Sequence, residues 1–155
     1  MKALAISLSL VTLGLALVTG EAGADQVDRT PPPVQPSAAP SAEQEYGRGI
    51  GARHAKDWTA AVGAFRKAVT LRPAYPEAWN ELGYALRNQG RYADSLTAYD
   101  EALRLKPRFP EALEYLGEAY VKLGRVDDAR KILERLKPLD AGRAHELAEA
   151  IAKGK

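Results

Sequence analysis

One interval governs this chain: residues of matching size and polarity recur every 34 positions between residues 42 and 141. Gly49, Gly83 and Gly117 stand 34 apart, as do Phe65, Tyr99 and Leu133, and Ala61, Ser95 and Ala129. Trp58, Tyr92 and Val126 keep an apolar residue in the same register, Ala68 and Ala102 keep a small one, and Pro73 and Pro107 close two of the three units. Such a chain stacks copies of one small supersecondary unit, none of which can bury its apolar face alone.

The middle unit, Pro76 to Phe109, shows what is being repeated. Trp79, Leu82 and Leu86 recur with about a 3.6-residue period, the spacing of one helix face. Gly90 ends that helix, and Tyr92, Leu96, Tyr99 and Leu103 carry a second one as far as Pro107. Pro76 and Pro110 take first-turn positions, where a missing N–H leaves no hydrogen bond unmade. A small residue at Gly49, Gly83 and Gly117 lets paired helices approach closely. No strand is expected anywhere.

A helix–turn–helix period of 34 with Trp-x2-Leu-Gly early, then a small residue, an aromatic, Ala and Pro, resembles the tetratricopeptide repeat (TPR) family. The resemblance implies an all-α solenoid of three repeats, at 42–75, 76–109 and 110–141, closed by a C-terminal capping helix over 142–155. In that helix Ala144, Leu147, Ala148 and Ile151 form an apolar face, with Arg143, His145, Glu146 and Glu149 opposite. The first repeat departs furthest from the family: Arg48 replaces a leucine and Lys56 the turn glycine. Gly47, Gly49 and Gly51 also crowd its first helix, which is expected to be the softest.

Two segments precede the repeats. Residues 1–24 read as a signal peptide, with Lys2, an uncharged stretch from Ala3 to Val18, and the small residues Ala22, Gly23 and Ala24 before a cleavage site. Export to the periplasm or outside the cell is therefore expected, with no membrane attachment after cleavage. Residues 25–41, with Pro31, Pro32, Pro33, Pro36 and Pro40, read as an unpacked linker of extended polyproline character.

Chemistry is sparse. There is no cysteine, and the two histidines, His54 and His145, lie on different segments without a nucleophile or metal-ligand partner at a working spacing. No enzyme activity and no cofactor are expected. The 22 Lys and Arg are interleaved with 20 Asp and Glu, which argues against a nucleic-acid footprint.

What remains is surface. In TPR proteins the first helices of successive repeats line a concave groove for a peptide or helix. Carried over by the 34-residue register, the candidate lining is Tyr46, Ile50, Arg53, Asn80, Tyr84, Arg87, Asn88, Glu114, Glu118 and Lys122. Tyr46, Ile50 and Tyr84 suit an apolar anchor, Asn80 and Asn88 a partner backbone, and Arg53 with Arg87 a carboxylate. Glu43, Glu77 and Glu111 sit in first turns, where they offset the helix dipole whether or not anything binds. One subset of the family clamps chaperone C-termini with two Lys, an Arg and two Asn. This chain has Tyr46, Ile50, Glu81, Glu111 and Tyr115 at those positions, so that clamp is not expected. The expected function is an exported scaffold binding another protein. The alternatives are a homo-oligomer built by repeat stacking and an accessory domain of an envelope enzyme complex.

Overall fold

The computed structural model describes residues 39–154; the expected signal peptide and most of the expected linker lie outside them. The described residues form seven helices and no strand: α1 (Ala42–His54), α2 (Trp58–Leu71), α3 (Pro76–Asn88), α4 (Tyr92–Leu105), α5 (Pro110–Lys122), α6 (Val126–Leu136) and α7 (Ala141–Lys153). Helices pair as α1 with α2, α3 with α4 and α5 with α6; α2 meets α3, α4 meets α5, and α7 packs on both α5 and α6. This is the all-α repeat solenoid expected from the sequence period.

Local chemistry sets the helix starts. Ser41 and Gln44 form a reciprocal capping box on α1. Asp57 accepts from the Ala60 N–H at 2.9 Å, and Asp140 from the Arg143 N–H at 3.0 Å. α3 and α5 instead begin with Pro76 and Pro110 and have no side-chain cap. Two apolar clusters make up the core, one around Phe65, Leu82 and Leu86, the other around Tyr99, Leu113, Leu116, Leu136 and Leu147. Trp79 packs against both, and its indole N–H donates to the Pro73 carbonyl at 2.8 Å.

The glycine series works as close-approach positions. A Cβ on Gly49 would collide with the Phe65 ring, and one on Gly83 would lie 2.6 Å from the Tyr99 ring. The third unit differs: a Cβ on Gly117 would meet Leu147 of α7, not Leu133 of its own repeat. Leu133 lacks the reach of an aromatic ring and is only partly buried, so the last helix supplies the missing side chain.

The first helix of the first repeat lacks the apolar stripe of α3. Glu45, Arg48 and Ala52 take the register positions of Trp79, Leu82 and Leu86. Glu45 is 1% exposed and bonds Arg48 at 3.0 Å. Apart from Glu45, α1 buries only Ala42 and Gly49, whereas α3 buries seven residues.

The turns between paired helices need a left-handed residue. Gly90 and Gly124 supply it with φ of 76° and 71°; in the first repeat Lys56 is held at φ 57°. A residue with a Cβ costs about 1 kcal/mol or more in that region. Lys56→Gly is therefore expected to stabilise the protein by about 1 kcal/mol. Urea denaturation followed by circular dichroism measures this, and a midpoint that stays put or falls would contradict it.

Candidate functional site

α1, α3, α5 and α7 share one face, and three ion pairs cross it. Arg53 on α1 reaches both oxygens of Glu81 on α3, at 3.2 and 3.1 Å. Arg87 on α3 pairs with Glu118 on α5, and Glu114 on α5 pairs with Arg143 on α7. Each pair ties the first helix of one unit to the next. The carboxylates of Glu81 and Glu114 are nearly buried, so each pair fixes helix spacing rather than adding a screened surface contact. Burial pushes both carboxyl pKa values up, against the neighbouring arginines, which pull them down.

Aromatic rings fill the space between these pairs. Tyr84 lies 5.1 Å from the Tyr115 ring and 6.0 Å from that of Trp58. The Arg53 and Arg87 guanidiniums stand 5.4 and 5.3 Å from the Tyr84 centroid, and Arg87 also lies 4.9 Å from that of Tyr115. These distances fall within the range of cation–π attraction. Tyr46 packs on Tyr75 at 5.0 Å and Phe65 at 5.7 Å. A cleft of about 580 Å³ opens beside this face, bordered by Arg87, Asn88, Tyr92, Glu118, Lys122 and the end of α7.

The candidate residues therefore separate into groups. Tyr46, Ile50 and Tyr84 are partly exposed, as a lining needs. Lys122 is exposed and in no ion pair among the described residues. Arg53, Arg87, Glu114 and Glu118 are engaged with one another or with Glu81 and Arg143. Asn88 is exposed but donates to the Tyr84 carbonyl at 2.8 Å, which gives it a local role in finishing α3. Asn80 is 1% exposed and does not present a free amide at the surface.

Three members of the site escaped the list of lining residues: Glu81, Tyr115 and Arg143. Arg143, expected on the solvent side of α7, turns back toward α5 because buried Glu114 requires a cation. Among the described residues no group of His, Asp or Glu is placed to hold a metal ion.

Two overlapping stretches, residues 46–108 and 80–144, match the family described as tetratricopeptide repeat. The chain belongs to the tetratricopeptide repeat family. Solved TPR structures share the fold. The first TPR domain of Spaghetti (RPAP3) bound to the HSP90 peptide SRMEEVD superposes with a TM-score of 0.69 at 18% identity, covering 73% of this chain and 91% of that one. The Arabidopsis OM64 TPR domain gives 0.70 at 18% identity, covering 74% and 97%. MamA protein gives 0.62 at 28% identity, covering 68% and 57%. No curated protein sequence matches the chain.

Proposed function

We propose that this TPR chain is an exported interaction module whose α1–α3–α5–α7 face receives a segment of another protein. The observation that carries the reading is Tyr84. It is partly exposed at the centre of that face, held between Trp58 and Tyr115 and beside a cleft large enough for side chains. Rigid aromatic residues in such positions are the usual anchors of protein interfaces. The family supports the reading, since its members typically act as interaction scaffolds, and the Spaghetti domain named above holds a peptide. The reading does not extend to a chaperone tail. Glu81 and Glu111 occupy positions where the clamp needs donors, and they would repel a terminal carboxylate.

Stacking of repeat ends is less well supported. The first helix carries Arg48 and Ala52 where the internal interface uses Leu82 and Leu86, so the apolar contacts that join successive repeats are not reproduced at this end. Export and a periplasmic location rest on the N-terminal sequence, and the mass of the mature chain tests them by showing whether it starts at Asp25.

The deciding experiment is affinity capture from the exported fraction, comparing the wild type with a Tyr84→Ala, Lys122→Glu double variant of matched helicity. A protein recovered by the wild type is expected to fall by about tenfold or more in the variant, the scale of a lost aromatic anchor. Equal recovery by a folded variant would dismiss this face as the binding site.

A further inference from the structure

We propose that the open groove at the N-terminal end of the stack, between α2 and the start of α1, is a second docking site, which takes an aromatic side chain of a partner segment flanked by acidic residues. It shares no residue with the lining of the α1–α3–α5–α7 face and is independent of that reading.

The groove has a volume of about 380 Å³ and is bordered by Ala39 and Pro40 ahead of α1, by Arg66, Lys67 and Leu71 on α2, and by buried Glu45. Pockets from about 300 Å³ upward hold ligands. The 34-residue register explains why a groove lies here. Glu45 stands where the second unit has Trp79, and Ala39 and Leu71 stand where it has Pro73 and Leu105. In the second unit the Trp79 ring packs against both apolar clusters, its indole N–H donates to the Pro73 carbonyl at 2.8 Å, and Leu105 is partly covered. In the first unit no ring takes that place. Glu45 pairs with Arg48 at 3.0 Å, and Leu71 is left 53% exposed, one of two large hydrophobic residues so exposed among those described.

A solenoid end carries polar residues for solubility. That requirement accounts for Glu45 and Arg48, but not for a bare leucine at the rim of an apolar groove. The charges narrow the occupant further. Arg66 and Lys67 are exposed and in no ion pair among the described residues, and they stand where the second unit has Asp100 and Glu101. Arg48 compensates the Glu45 carboxylate, so the two α2 cations give the groove a net positive rim. Their aliphatic stems can cover a ring while their charged ends reach carboxylates beside it. An aromatic side chain with acidic neighbours meets both the apolar walls and the rim. A second copy of this chain fits less well, because Arg48 and Ala52 replace the Leu82 and Leu86 that join one repeat to the next.

Three fluorescein-labelled peptides on one Gly-Ser backbone provide the test by fluorescence anisotropy: a tryptophan flanked by glutamates, a tryptophan flanked by lysines, and an alanine flanked by glutamates. The first is expected to bind about tenfold or more tightly than the other two. Its affinity should fall about fivefold in Lys67→Glu and in Leu71→Ser, and fall again as salt rises from about 0.05 to 0.3 M. Lys67 and Leu71 are both exposed, so neither variant threatens the fold, and Glu134→Gln on α6 is the remote control. No binding of the first peptide, equal binding of either other peptide, or indifference to both variants would overturn the proposal. Self-association lost in Leu71→Ser would overturn it in favour of a second copy, and peptide binding only after removal of residues 25–38 would overturn it in favour of the chain's own N-terminal segment.

Discussion

Gly83→Leu is expected to destabilise the protein by about 3 kcal/mol or more, at the upper end of overpacking costs. A Cβ alone at this position would lie 2.6, 2.7 and 2.9 Å from three atoms of the Tyr99 ring. Tyr99 is fully buried in the core, so its ring cannot swing out toward solvent to relieve the clash. The clash must instead push α3 away from α4, and it falls where Leu82, Ala85 and Leu86 of the same helix are packed. The effect should be graded along the series. At Gly117 the added atom meets the branched end of the Leu147 side chain, which can change rotamer, so Gly117→Ala should cost less than Gly83→Ala. Gly63, on the exposed side of α2 with nothing within 4 Å, is the control, and Gly63→Ala should stabilise by about 1 kcal/mol through helix propensity. Chemical denaturation of the set ranks them. A Gly83→Leu protein as stable as the wild type would refute close helix approach as the purpose of this glycine.

That ranking shows which parts of the fold were legible in the sequence. The 34-residue recurrence of Gly49, Gly83 and Gly117 marks helix approach in each unit, because a missing side chain is itself a sequence signal. It does not reveal which side chain fills the gap, and in the third unit that is Leu147, which lies outside the repeated pattern. The face was legible in its rings but not in its charges. Tyr84 could be found because an aromatic at a lining position needs only the register to locate it. The ion pairs could not, because their sequence separations are 28, 31 and 29 residues and the last reverses the order of acid and base. A strict period of 34 hides contacts made between neighbouring helices at different heights. Asn80 and Asn88 resemble binding residues by propensity alone. Burial of the first and the bond from the second to the Tyr84 carbonyl depend on packing and helix-end geometry that composition does not carry.

Ending the chain at Asp140 should be comparably damaging at the opposite end of the stack. α7 buries Ala144, Leu147 and Ile151, and it covers Leu116, Gly117 and Leu136, which are otherwise closed from solvent. Burying a leucine or isoleucine side chain contributes about 2 kcal/mol, so losing both, together with the surface they cover, removes about 5 kcal/mol. That is a large share of the total stability of a small domain. The truncation also removes Arg143, the cation that compensates Glu114, and leaves an apolar patch on α5 and α6 with no partner. The expected result is a lower unfolding temperature and concentration-dependent association in light scattering, because the exposed patch can be covered by a second copy. Leu147→Ala keeps α7 in place and isolates the packing contribution, with an expected cost of about 3 kcal/mol. Arg143→Met isolates the charge, leaving buried Glu114 without its cation, and should cost about 3 kcal/mol, an effect that shrinks as falling pH neutralises the carboxyl. The sign follows from burial, which raises the folded-state pKa of Glu114 once its arginine is gone, so protonation favours the folded form of that variant. A truncated chain that stayed monomeric with an unchanged unfolding temperature would mean that α7 is an appendage, and that the stack closes at α6 without it.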